Sequence, residues 1–99
     1  MSQSGLTPYQ DELLEILAEE CAEVIQEKSK IFRFGILSGS HHNLGKSHIE
    51  CLESELGDLL AMIQLLMDAD MGLSDNRIHA AKLSKLAKLS KWMTNDKPQ

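Results

Sequence analysis

Apolar residues recur at helical spacing in two long segments and a shorter third, and the two-residue alternation of a strand does not stand out anywhere. Taking roughly 100° per residue, the first stripe runs through Leu13, Leu14, Leu17, Cys21, Val24, Ile25, Ile31 and Phe32. The second runs through Leu52, Leu56, Leu59, Ile63 and Leu66, with Glu50, Glu53, Gln64 and Asp68 on the opposite, wet face. Punctuation sets the limits. Thr7-Pro8-Tyr9-Gln10 is a capping box with proline at the first helical position, so a helix is expected over about 8–34, closed by Gly35. Ser47-His48-Ile49-Glu50 is a second capping box, with a helix expected over about 48–71 and closed by Gly72. Ser74 or Asp75 caps a third over about 75–92, and 94–99 reads as a frayed tail. Residues 35–47, rich in Gly, Ser, His and Asn, form a loop longer than a tight connector needs.

These elements make one all-α domain of 99 residues, an antiparallel helical hairpin plus a C-terminal helix. A hairpin leaves its apolar stripes half covered. Pairing with further copies is therefore expected, giving a four-helix-bundle-type homo-oligomer, a homodimer or homotetramer.

Two acidic pairs break the pattern. Glu20 and Glu23 stand three residues apart at the edge of the first stripe, while Glu12, Glu15 and Glu19 point further away. Glu55 and Asp58 repeat the spacing on a side otherwise filled by Cys51, Met62 and Leu65, where an uncompensated carboxylate is costly. Residues i and i+3 share a helix face. Two such helices lying antiparallel converge four carboxylates on one point, and four converged carboxylates need a cation. Counted back from the loop at about 1.5 Å per residue, Glu23 lies about 18 Å from Gly35 and Glu55 about 12 Å from Ser47, near enough for a modest stagger to level them. The ordinary alternative, that a chain with 15 acidic residues yields such spacings by chance on solvated faces, fits Glu55 and Asp58 least. Oxygen donors without neighbouring His or Cys favour magnesium, with manganese as a possible substitute, over zinc.

Composition narrows the class. A formal charge of −5 and a pI near 5.2 argue against an electrostatic nucleic-acid binder. An early apolar signal run and an uncharged stretch long enough to span a bilayer are both absent from the pattern, so a cytoplasmic protein without a membrane partner is expected. Cys21 and Cys51 read as reduced core residues. Lys82, Lys85, Lys88 and Lys91 drift around the third helix instead of forming one face, and read as solvated.

Together, Glu19-Glu20-Cys21-Ala22-Glu23 and Glu55-Leu56-Gly57-Asp58-Leu59-Leu60-Ala61 resemble the EExxE and ExxD signature of the MazG-like, all-α nucleoside triphosphate pyrophosphohydrolases. Val24-Ile25-Gln26 followed by Ser29-Lys30-Ile31-Phe32-Arg33-Phe34-Gly35 is similar to small, single-domain members of phage and bacterial type, and the likeness spans roughly 13–66. The resemblance implies magnesium-dependent hydrolysis of a nucleoside triphosphate, often a deoxynucleotide, to the monophosphate and pyrophosphate. It further implies a hydrolase acting on acid anhydrides in nucleotide-pool control, in the host cytoplasm if phage-encoded. Mapped by motif, Glu20, Glu23, Glu55 and Asp58 are the metal ligands and catalytic centre, with Glu19 as an outer or alternative ligand.

Around that centre, Glu27 lies a turn beyond Glu23 and, like the ligands themselves, can orient the water or accept its proton. Lys30 and Arg33, at i and i+3, can clamp phosphate oxygens, although a helix end favours cations anyway. Lys28 and Lys46 are weaker candidates for the same task. His41, His42 and His48 lack the third ligand at fixed spacing that zinc wants; adjacent loop histidines read as exposed, able to touch a nucleotide when the loop closes, as can Asn43. A di-iron bundle is disfavoured because no Glu-x-x-His pair occurs. The alternative to an enzyme is a helical adaptor or inhibitor acting through its dimer surface, in which Glu55→Ala is neutral or stabilising and no metal dependence exists.

Overall fold

The computed structural model describes residues 3–39 and 45–95, and in them the chain forms three α-helices: α1 (Pro8–Phe34), α2 (His48–Asp68) and α3 (Asp75–Trp92). His41, His42 and Asn43 lie outside the described residues. Each of the first two helices starts on its capping box. The Thr7 hydroxyl accepts from Gln10 N–H at 3.2 Å while the Gln10 side chain accepts from Thr7 N–H at 3.0 Å. Ser47 and Glu50 repeat the exchange at 3.3 and 3.1 Å. The Ser47 backbone N–H and then its hydroxyl, with Lys46 nearby, hold the Glu50 carboxyl below its ordinary range. At the far end of α1, Gly35 takes a φ of +95°, which a side chain would strain, and returns its N–H to Ile31 O at 2.8 Å.

Helix α2 ends at Asp68, short of the Met71 that Gly72 suggests. Ala69 N–H reaches back three residues to Leu66 O at 3.3 Å, and Asp70, at φ +55°, turns the chain away before the glycine is met. Asp tolerates that left-handed conformation better than most residues, so an aspartate performs the stop.

Helices α1 and α2 pack along their lengths in opposite directions: Gln10 Nε2, at the start of α1, donates to Ala69 O beyond the end of α2 at 2.7 Å. Leu13, Met62 and Leu66 are buried at this end, with Ile16, Leu17, Ala69 and Met71 against them. The predicted stripes are wider than the interface. Leu13 is buried and Leu17, Val24 and Ile31 are half-buried, whereas Leu14, Ile25 and Phe32 are 39%, 63% and 78% exposed. On α2, Met62 takes the central place and Leu56, Leu60 and Ile63 stay exposed. Cys21 is exposed rather than in the core, and both cysteines are free thiols. At roughly 100° per residue, the uncovered positions of both helices fall on one side of the pair, because the helices run oppositely.

No residue of α3 is buried. The radius of gyration, 17.0 Å, exceeds the roughly 13 Å of a compact chain this long, so a single copy leaves much apolar surface uncovered. Within the described residues, no helix is long and apolar enough to cross a membrane.

Candidate metal centre

Beyond the apolar end of the α1–α2 interface, the same faces turn acidic. Glu20 and Glu23 from α1 and Glu55 and Asp58 from α2 each bring one carboxylate oxygen to a common point, all within 4.8 Å of one another. Helical phase does this: the i, i+3 spacing puts each pair on one face, and the opposed helices level the two pairs. Glu20 and Glu55 are half-buried, Glu23 and Asp58 exposed, so the cluster has a dry floor and a wet rim.

Four like charges so close resist ionisation. The Glu55 carboxyl is pushed up to about 7, first by hydrogen bonding with Glu23, which only a proton can bridge, then by burial and by repulsion from Glu23, Asp58 and Glu20. Glu20 is raised in the same direction by burial, then by Glu23, Asp58 and Glu19. Among the described residues no Lys, Arg or His stands within ion-pair distance of any of the four. Glu20 Oε2 and Glu55 Oε2 are buried with no hydrogen-bond partner, an arrangement that is costly as it stands. A hard divalent cation matches what is missing: it takes oxygen ligands, supplies the opposing charge, and lets Glu55 lose its proton.

The other predicted residues are placed variously. Glu19 is exposed and outside the converging group. Lys30 lies along the packed face, its Nζ 3.2 Å from Glu27 Oε1 and its side chain 42% exposed. Arg33 is exposed with its guanidinium 4.9 Å from the centre of the Phe34 ring, and Lys28 sits equally far over Phe32. Lys46 is exposed at the foot of α2.

Two polar residues near the centre were not legible as buried. His48 is 1% exposed, not a solvent-facing loop histidine, and Glu27 is 7% exposed. Their Nδ1 and Oε2 atoms are 3.9 Å apart. A signal existed: Glu27 lies seven residues after Glu20 and His48 seven before Glu55, two helical turns that return to the same face. Comparison of the chain with protein-family models, curated proteins and solved structures gives no match.

Proposed function

We propose that the protein is a magnesium-dependent nucleoside triphosphate pyrophosphohydrolase, hydrolysing a ribo- or deoxynucleoside triphosphate to the monophosphate and pyrophosphate. The observation that carries this reading is the convergence of Glu20, Glu23, Glu55 and Asp58 within 4.8 Å, with two buried oxygens lacking partners. The resemblance of those same residues to the MazG-like signature supplies the reaction.

In this account the four carboxylates hold the ion, and Glu55 gives up its proton as the ion binds. Held by these carboxylates, magnesium would supply screening of the triphosphate charge and acidification of water. Lys30 and Arg33 lie further along α1 toward the loop, where released from Glu27 and Phe34 they meet phosphate oxygens as a point charge and a fork. In this reading Glu23 and Asp58, the exposed members of the four, would orient the attacking water, and no covalent nucleophile is needed. Glu27, buried and paired through one oxygen with Lys30, is poorly placed for that role.

The uncovered stripe of Leu14, Ile25, Phe32, Leu56, Leu60 and Ile63 supports assembly of the α1–α2 hairpin into a four-helix-bundle-type homodimer or homotetramer. The enzyme would act on the nucleotide pool of the cytoplasm. The same surface favours the second reading, an adaptor working through its dimer face.

The test is hydrolysis of the eight common ribo- and deoxynucleoside triphosphates with and without magnesium, resolving monophosphate plus pyrophosphate from diphosphate plus phosphate. Magnesium-dependent pyrophosphate release that vanishes in Glu55→Ala is expected. No turnover of any nucleotide by a folded protein would leave the adaptor.

A further inference from the structure

One turn beyond Glu23 on α1 and two turns before Glu55 on α2, a second polar group is buried more deeply than the first. Glu27 and His48 face each other across the α1–α2 interface at 3.9 Å. Lys30 holds the other Glu27 oxygen at 3.2 Å, and Phe34 stacks on the imidazole at 5.7 Å with 18° between the planes. Burying a carboxylate against an imidazole is rarely the most stabilising way to fill an interface, since apolar residues of similar volume often do as well or better. Specificity of register is the better-attested use of such a pair.

What the pair registers is visible in the backbone. The His48 N–H donates to Ser38 O at 2.7 Å and the Ile49 N–H to Ile36 O at 2.9 Å. Gly39 forms a bridge with Ser47, and a Cβ at Gly39 would stand 2.5 Å from Lys46 O. The two ends of the loop therefore close against each other without room for a side chain. His48 joins three things at once: the start of α2, the returning loop, and Glu27 on α1.

We propose that the Glu27–His48 contact is a latch that fixes residues 36–39 beside the acid centre, making Glu27 and His48 positioning residues for the substrate held there. The latch stands on the contacts above; the identity of the substrate rests on the nucleotide reading. Phosphates that a cation at the carboxylates would hold leave the nucleoside half to be placed by the neighbouring surface, and two helical turns, about 10 Å, separate Glu55 from the latched loop. Loosening the latch thus weakens nucleotide binding while leaving the ion's ligands in place.

The test compares the full-length wild type with Glu27→Gln, His48→Phe and His48→Asn. It reads KM and kcat for the best triphosphate of the panel, the magnesium concentration that half-saturates thermal stabilisation, and amide exchange at positions 48 and 49. His48→Phe keeps the ring and its stacking on Phe34 but loses the contact with Glu27. It is expected to raise KM on the order of ten- to a hundredfold, with kcat and the magnesium midpoint within about twofold and faster exchange at both amides. Glu27→Gln moves the same readouts in the same direction, and His48→Asn, which restores a side-chain N–H, recovers most of the KM. Unchanged KM and unchanged exchange in His48→Phe would overturn the latch. So would parallel collapse of kcat, KM and the magnesium response, which marks a merely structural pair. If the wild type turns over no triphosphate, the nucleotide reading falls, and unchanged exchange in both Glu27→Gln and His48→Phe separately sinks the latch.

Discussion

The two ends of the α1–α2 interface are built on the same geometry and filled with opposite chemistry. At one end Leu13, Met62 and Leu66 are buried among apolar neighbours. At the other, the same faces carry Glu20, Glu23, Glu55 and Asp58, two of them with a buried oxygen lacking a partner. Packing at the first end stabilises the fold without further help. The second end, taken alone, opposes it, because burial and mutual repulsion both disfavour the ionised carboxylates. A helix pair that keeps so unfavourable an end in register with a favourable one supports the proposal that a cation binds there.

Removing a ligand breaks the comparison most severely. Glu55→Ala is expected to lower magnesium-dependent turnover on the order of a hundredfold or more, since loss of an outer partner of a metal ligand alone typically costs about ten- to a hundredfold; circular dichroism should show the helices intact. Next is the apolar end. Leu66→Ala should destabilise the protein by about 2–5 kcal/mol in denaturant unfolding, by the same amount with or without magnesium.

The pH dependence sharpens the contrast. The folded Glu55 binds its proton up to about pH 7, against an ordinary value of 4.5, so its contribution to stability is fully present below 4.5 and is lost as pH rises through 7. Glu20, raised in the same direction, adds to the loss. The thermal midpoint of the metal-free protein should therefore fall across this interval. Solvent screens groups near the rim, so the fall should be modest, and Glu55→Gln should flatten it. Magnesium should reverse it, because binding releases the proton and strengthens with pH.

The smallest effect is expected in α3, none of whose residues is buried in a single copy. Leu86→Ser should change the stability of dilute, monomeric protein by less than about 0.5 kcal/mol. A larger loss that appears only at concentrations where sedimentation shows oligomers would mean that a neighbouring copy covers the helix.

Local chemistry made part of this structure legible from sequence. Thr7 with Gln10 and Ser47 with Glu50 cap their helices through contacts within three residues, and the i, i+3 acids share a face whatever surrounds them. Features decided at a distance were not legible. The apolar arc of each helix is wider than its interface, so periodicity could not tell that Met62 is buried while Leu56 and Ile63 are exposed. The α2 stop depends on the left-handed backbone of Asp70, to which Gly72 was only a nearby pointer. Glu27 reads from sequence as a group able to orient the water, but its burial was not legible, because His48, 3.9 Å away across the interface, lies on another helix and far from it along the chain.

The central claim is that the acid cluster binds a divalent cation, and the most direct measurement is the thermal midpoint of wild type and Glu55→Ala titrated with magnesium at pH 7.5. A ligand that prefers the native state raises the midpoint by mass action, so the wild type should rise saturably and Glu55→Ala should not. A flat wild-type curve, or an equal rise in both proteins, would contradict the account.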